Sequence, residues 1–200
     1  MKIISDVLYW ISTGLLVPVI VLLIFFFIRA LILIGGFFGQ YLDMRRTNVP
    51  LRKAIGELTP DGLDALEAAL PQKSNTLLSA YAAKLLAANG DTVLIEKLLD
   101  EYEIAAEKDM ELPKTLTKMG PMLGLMGTLI PMGPALVGLA NGDIASMAYN
   151  MQVAFATTVV GLFCSAVGFV TRQVKQRWYR SDINDLEFLA GRINQKNQRQ

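Results

Sequence analysis

Two stretches of the chain, 119–140 and 149–171, contain no acidic or basic residue. At 1.5 Å per residue each rises about 33 Å as a helix, enough for a hydrocarbon core of about 30 Å. A polar link, 141–148, joins them. Both stretches read as transmembrane helices, and their small residues recur at helical spacing. In the second stretch Ala154, Thr158, Gly161, Ser165 and Gly168 fall on one face; in the first, Gly120, Gly124, Thr128, Pro131, Ala135 and Gly138 do nearly the same, with Gly127 widening the stripe. Hydrocarbon supplies no hydrophobic drive between helices, and such stripes mark close helix packing. The reading is a transmembrane hairpin built to pack against further helices. The only polar side chains on its stripes are the hydroxyls of Thr128, Thr158 and Ser165.

Composition agrees with a multi-pass membrane protein: 52% of the 200 residues are hydrophobic and 18% charged. A net charge of +1 gives no reason to expect nucleic acid as a partner. With no histidine, zinc sites and imidazole acid–base catalysis are not expected. No metal ligands and no cofactor are predicted. The lone Cys164 lies mid-run and reads as a small packing residue.

In chain order, residues 7–38 are apolar except for Ser12, Thr13 and one charge, Arg29. The run is too long for a signal peptide. A first transmembrane helix is expected over 9–27, with Tyr9 and Trp10 at one interface and Arg29 snorkelling at the exit. Residues 30–41 continue as helix along or just beyond the interface. Between Gly35 and Lys118 lie ten basic and thirteen acidic residues, the balance of a solvated helical region. Three helices are predicted there: 63–70 capped by Thr59 or Asp61, 77–88 capped by Ser74, and 93–110 capped by Asp91 or Thr92. The apolar face of the last is formed by Leu94, Leu98, Leu99, Tyr102 and Ala106. After the hairpin, Ile183, Leu186, Leu189, Ala190 and Ile193 carry the third helix on without a break to about Asn194, with a frayed end.

Basic residues cluster after the first span (Arg29, Arg45, Arg46, Arg52, Lys53), before the second (Lys114, Lys118) and after the third (Arg172, Lys175, Arg177, Arg180), whereas the link holds Asp143 and no base. The positive-inside rule therefore places the start and the link outside and the middle region and tail in the cytoplasm. The expected fold is an all-α membrane protein with three transmembrane helices, a helical cytoplasmic domain between the first and second, and a helical cytoplasmic extension of the third. Its segments are 1–44 (first span and extension), 45–117 (cytoplasmic region), 118–172 (transmembrane hairpin) and 173–200 (tail helix).

The run Gly-Pro-Met-Leu-Gly-Leu-Met-Gly-Thr-Leu-Ile-Pro-Met-Gly-Pro from Gly120, with Ala-Phe-Ala-Thr-Thr-Val-Val-Gly-Leu-Phe from Ala154, resembles the second and third membrane helices of the MotA/TolQ/ExbB proton-channel family. Gly-Leu-Met-Gly-Thr at 124–128 paired with Thr-Val-Val-Gly-Leu at 158–162 carries the likeness. The resemblance implies an ion-conducting ring subunit of the inner membrane, five copies around a paired single-span partner of the ExbD/TolR/MotB kind. That partner's membrane aspartate would carry protons, and ion flow would drive mechanical work or protein transport. It assigns Thr128 and Thr158 to the ion pathway. Gly120, Gly124, Gly127, Ala154, Gly161, Ser165 and Gly168 become helix-packing or partner contacts, and Pro131 and Pro134 possible kinks. One departure stands out: the family's third-helix glutamate is replaced by Val153, with Gln152 beside it.

The chemistry is consistent with this. A carboxyl in hydrocarbon is costly when charged, and a hydroxyl can donate to its ionised form or accept from its neutral one. No membrane acid is present in the hairpin, so the titrating group must arrive on another chain. The plain alternative for Thr128 and Thr158 is a hydrogen bond to a carbonyl one turn back. At the level of function the alternative is a non-conducting scaffold that anchors an envelope complex. An intramembrane hydrolase finds no support, since the chain has no Gly-x-Ser-x-Gly, histidine or hairpin acid.

Overall fold

The computed structural model describes residues 2–56, 76–88 and 90–197. They form helices joined by turns, with no strand among the described residues. Helix α1 is Lys2–Asp43, followed by a π-helical turn, Met44–Asn48; α2 is Val49–Gly56, α3 Leu77–Ala87, α4 Thr92–Ala140 and α5 Ile144–Asn197. Three helical runs are long and apolar enough to cross a membrane: Val7–Gly56, Thr92–Ala140 and Ile144–Asn197. The helix expected over 63–70, with its Thr59 or Asp61 cap, lies outside the described residues, as does Ser74.

Several expectations are corrected by the local chemistry. The cap of α3 is Thr76, whose Oγ1 accepts the Ser79 amide at 3.3 Å. Of the two caps expected for α4, Asp91 is the one used: its Oδ1 accepts the amides of Val93 and Leu94 at 3.1 and 3.2 Å. Helix α4 does not end near 110 but runs through Pro113 to Ala140. On its apolar face Ile95 takes the buried place expected of Leu94, which is exposed. The link between the spans is a tight turn rather than eight residues. Gly142 adopts φ +76°, a left-handed conformation that suits glycine. The amides of Asp143 and Gly142 return to the carbonyls of Gly138 and Leu139, which is a Schellman closure. Asp143 Oδ1 then accepts the Ser146 amide and starts α5. At the other end α5 stays helical to Asn197.

The described chain divides into two compact units. The first is Met1–Ile34 with Leu112–Arg172. In it Val19 and Leu23 of α1 pack with Leu123 and Ile130 of α4. Ala30 and Leu33 pack with Leu116 and Cys164, and Phe27 meets Phe163 with ring centroids 5.6 Å apart. The buried α1 positions 19, 23, 30 and 33 follow a three–four spacing, one stripe of a helix otherwise turned outward.

The second unit is Gly35–Glu111 with Gln173–Gln200. Its core joins Leu51 and Ile55 of α2, Leu78, Ala82 and Leu85 of α3, Ile95, Leu98, Tyr102 and Ala106 of α4, and Leu186, Leu189, Ala190 and Ile193 of α5. Charges are buried here in partnered clusters. Arg52 Nη2 donates to Asp182 Oδ1 at 2.5 Å and to the Trp178 carbonyl at 3.2 Å, and Tyr102 donates to the other Asp182 oxygen at 3.1 Å. Lys175 Nζ donates to Asp109 at 2.6 Å, and Tyr179 donates to the same oxygen. Burial raises the Asp182 carboxyl above the usual range although Arg52 and Tyr102 pull the other way. Burial also lifts both phenols, helped by Asp182 at Tyr102 and by Asp109 at Tyr179.

Candidate functional site

The hairpin of α4 and α5 in the first unit is the candidate site. Its small residues meet each other. A Cβ on Gly161 would stand 2.6 Å from the Gly120 carbonyl oxygen and 2.9 Å from Gly124 Cα; one on Gly168 would stand 2.7 Å from the Pro113 oxygen. Real side chains do not fit at such distances, so glycine permits the two backbones to touch. Gly127 lies against the Thr157 side chain, Gly124 against the backbone of 157–161, and Gly138 against the start of α5. Ala154 is buried on the same side. The predicted stripe is thus directed largely into the hairpin itself.

The seam along α5 is Ala154, Thr157, Gly161, Cys164, Gly168 and Thr171, all buried, at alternating steps of three and four. This is the spacing of a supercoiled helix pair. Thr157 belongs to this seam and Thr158 beside it is half-exposed. Sequence reasoning picked 158 and 165 as stripe members; from Ala154, steps of four then three give 158 and 165 and steps of three then four give 157 and 164, so spacing alone does not choose between them. The same spacing further along α5 reaches Lys175 and Asp182, both buried.

Four hydroxyls of the hairpin, those of Thr128, Thr157, Thr158 and Ser165, are committed to carbonyls. Thr128 donates to Leu125 O at 2.7 Å. Thr158 donates to Ala154 O at 3.0 Å, and Thr157 lies within reach of Val153 O and Ala154 O at 3.0 and 2.9 Å. Ser165 alone reaches across, donating to Thr117 O at 3.1 Å. The cause is Pro121: lacking an N–H, it cannot serve the carbonyl of Thr117 one turn back, and Ser165 supplies the missing donor. Pro131 is buried and Pro134 half-buried, and the helix continues through both. They deny an intrahelical amide to the carbonyls of Gly127 and Ile130, leaving two acceptors within the span. The hairpin stretches hold no acid or base, and no group of metal-ligating side chains occurs among the described residues.

Chemically, this is an uncharged helical wall whose polar features are hydroxyl oxygens, freed carbonyls and, near the start of α5, the amides of Asn150 and Gln152. It can solvate a proton carrier or small ion weakly and cannot itself titrate near neutrality. The class so defined is a three-span helical membrane protein with a polar-lined hairpin and a helical unit outside the apolar segments. Residues 73–187, more than half of the chain, match the MotA/TolQ/ExbB proton channel family, and the chain belongs to that family. No curated protein matches it.

Proposed function

We propose that the chain is the ring-forming subunit of a proton-driven motor or stator in the inner membrane. Five copies would surround a single-span partner of the ExbD/TolR/MotB kind. That partner's membrane aspartate carries the proton past Thr128 and Thr158, and the flow drives mechanical work or protein transport. The start of α1 and the Gly142 turn face outward, while the second unit lies in the cytoplasm. In functional terms residues 118–172 carry the path, 1–44 the outer span, and 45–117 with 173–200 the cytoplasmic coupling part. Family membership supports this reading. The observation that carries it is a hairpin with hydroxyls and freed carbonyls but no titratable acid, which leaves the proton-carrying group to another chain.

One observation favours a second reading, a non-conducting scaffold: Thr128 and Thr158 are both satisfied within their own helices. Thr158→Val separates the two. In vesicles holding the chain and a single-span partner with a membrane Asp, proton flux read by a pH-sensitive dye should fall at least about tenfold, the worth of a lost hydrogen bond to a charged group. Thr158→Ser should restore it. Unchanged flux in Thr158→Val would defeat the conducting role of this residue, and wild-type vesicles without flux would favour the scaffold.

A further inference from the structure

Two opposite faces of the second unit are complementary to each other, and neither is covered by the described residues. Residues Ala105, Lys108 and Asp109 of α4 and Trp178 and Asp182 of α5 turn toward the end of α1, where Phe37 stacks on Trp178 at 5.5 Å. On the far side of the same helix pair lies an open groove of about 580 Å³, walled by Asp100, Glu103, Ile104 and Glu107 of α4 and by Arg180 of α5. The three acids have no ion pair among the described residues, and Ile104 is 67% exposed. The outward ridge of the α1 end and α2 is its counterpart. Phe38, Leu42 and Val49 are each more than half exposed there, with Arg46 and Lys53 beside them, exposed and without an ion pair among the described residues. Residues 38, 42, 46, 49 and 53 are all exposed, whereas Gln40 and Met44 line the pocket with Trp178 and Asp182.

We propose that the acidic groove of one copy receives the basic, apolar ridge of the next. This rests on the ring reading above and supplies the surfaces that select the neighbour. The favoured occupant is a second copy of this chain because the charges are opposite, the apolar residues are matched and the faces point in opposite directions. Such a heterologous contact repeats head to tail and closes into a ring when the rotation allows. Exposed apolar patches flanked by charge mark association surfaces, and the ion pairs act mainly on register and partner choice. Arg180, on the α5 wall, repels the ridge and seats it against α4.

The test uses the full chain in membranes. Leu42→Cys with Ile104→Cys, treated with a bis-maleimide linker, should give a ladder of linked copies, and native Cys164 alone should give none because it is buried. Adding Glu103→Arg and Glu107→Arg should reduce the ladder roughly tenfold. Adding Arg46→Glu and Lys53→Glu to that variant should restore it, which also shows that the reversed chain folds. An oligomer by native mass without a ladder would overturn these faces and leave the ring reading standing; a monomer by native mass would remove both. A ladder indifferent to the groove charges but sensitive to anionic lipid content would overturn the proposal in favour of a headgroup contact.

Discussion

At the scale of single residues, two glycines separate geometry from propensity. Gly161 holds the hairpin backbones in contact, whereas a Cβ on Gly191 of α5 would meet nothing within 4 Å. Gly161→Ala should destabilise the protein by about 1–3 kcal/mol through overpacking. Gly191→Ala should stabilise it by about 0.4–1 kcal/mol through the unfolded chain. Thermal unfolding in detergent, followed by circular dichroism, reads both. Asp182 gives a pH signature. Its carboxyl titrates above the usual range when folded, so the folded state takes up the proton first as pH falls. The stability linked to this group is therefore full below the ordinary carboxylate pKa and is lost as pH rises through the raised one. Unfolding midpoints compared across pH 4 to 8 should show that slope, and Asp182→Asn should flatten it. A variant with the wild-type slope would show that another group is responsible.

At the scale of elements, the cross-helix bond from Ser165 to Thr117 O exists because Pro121 gives that carbonyl no amide. Ser165→Ala should cost about 1 kcal/mol, the usual net value of a hydrogen bond. In a Pro121→Ala background the cost should shrink, since an alanine in that place brings an N–H that can serve the carbonyl itself. A double-mutant cycle measures the coupling, and strictly additive costs would refute it. The three apolar runs and the helical character of the tail were legible because hydrophobic length and helical spacing are local signals. The seam was less so: hydroxyls drew attention to Thr158 and Ser165, while burial falls on Thr157 and Cys164, one position away on each turn. Lys175 and Asp182 were invisible as core residues because charge alone reads as solvated, and their partners Asp109 and Arg52 lie 66 and 130 positions distant. The extent of α4 was hidden by Pro113 and Pro121, which usually mark helix ends, and the short link by Gly142, whose left-handed turn lets α5 begin at once.

At the scale of the whole molecule, the apolar windows of the three spans are only 22%, 33% and 28% buried within one chain. Lipid or further helices must cover the remainder. The proposed orientation is checked by labelling: Asn141→Cys should react with an impermeant maleimide from outside intact cells, and Arg180→Cys only after the membrane is opened. The reverse pattern would invert the topology. In the proposed ring, the hydrogen of the Thr158 hydroxyl is already given to Ala154, so a carboxyl on the proposed partner would be offered a lone pair. That suits the protonated acid and provides no donor to the ionised one until the side chain swings round. Such a wall would detain a laden carrier longer than an empty one, and the swing of one threonine would time the release.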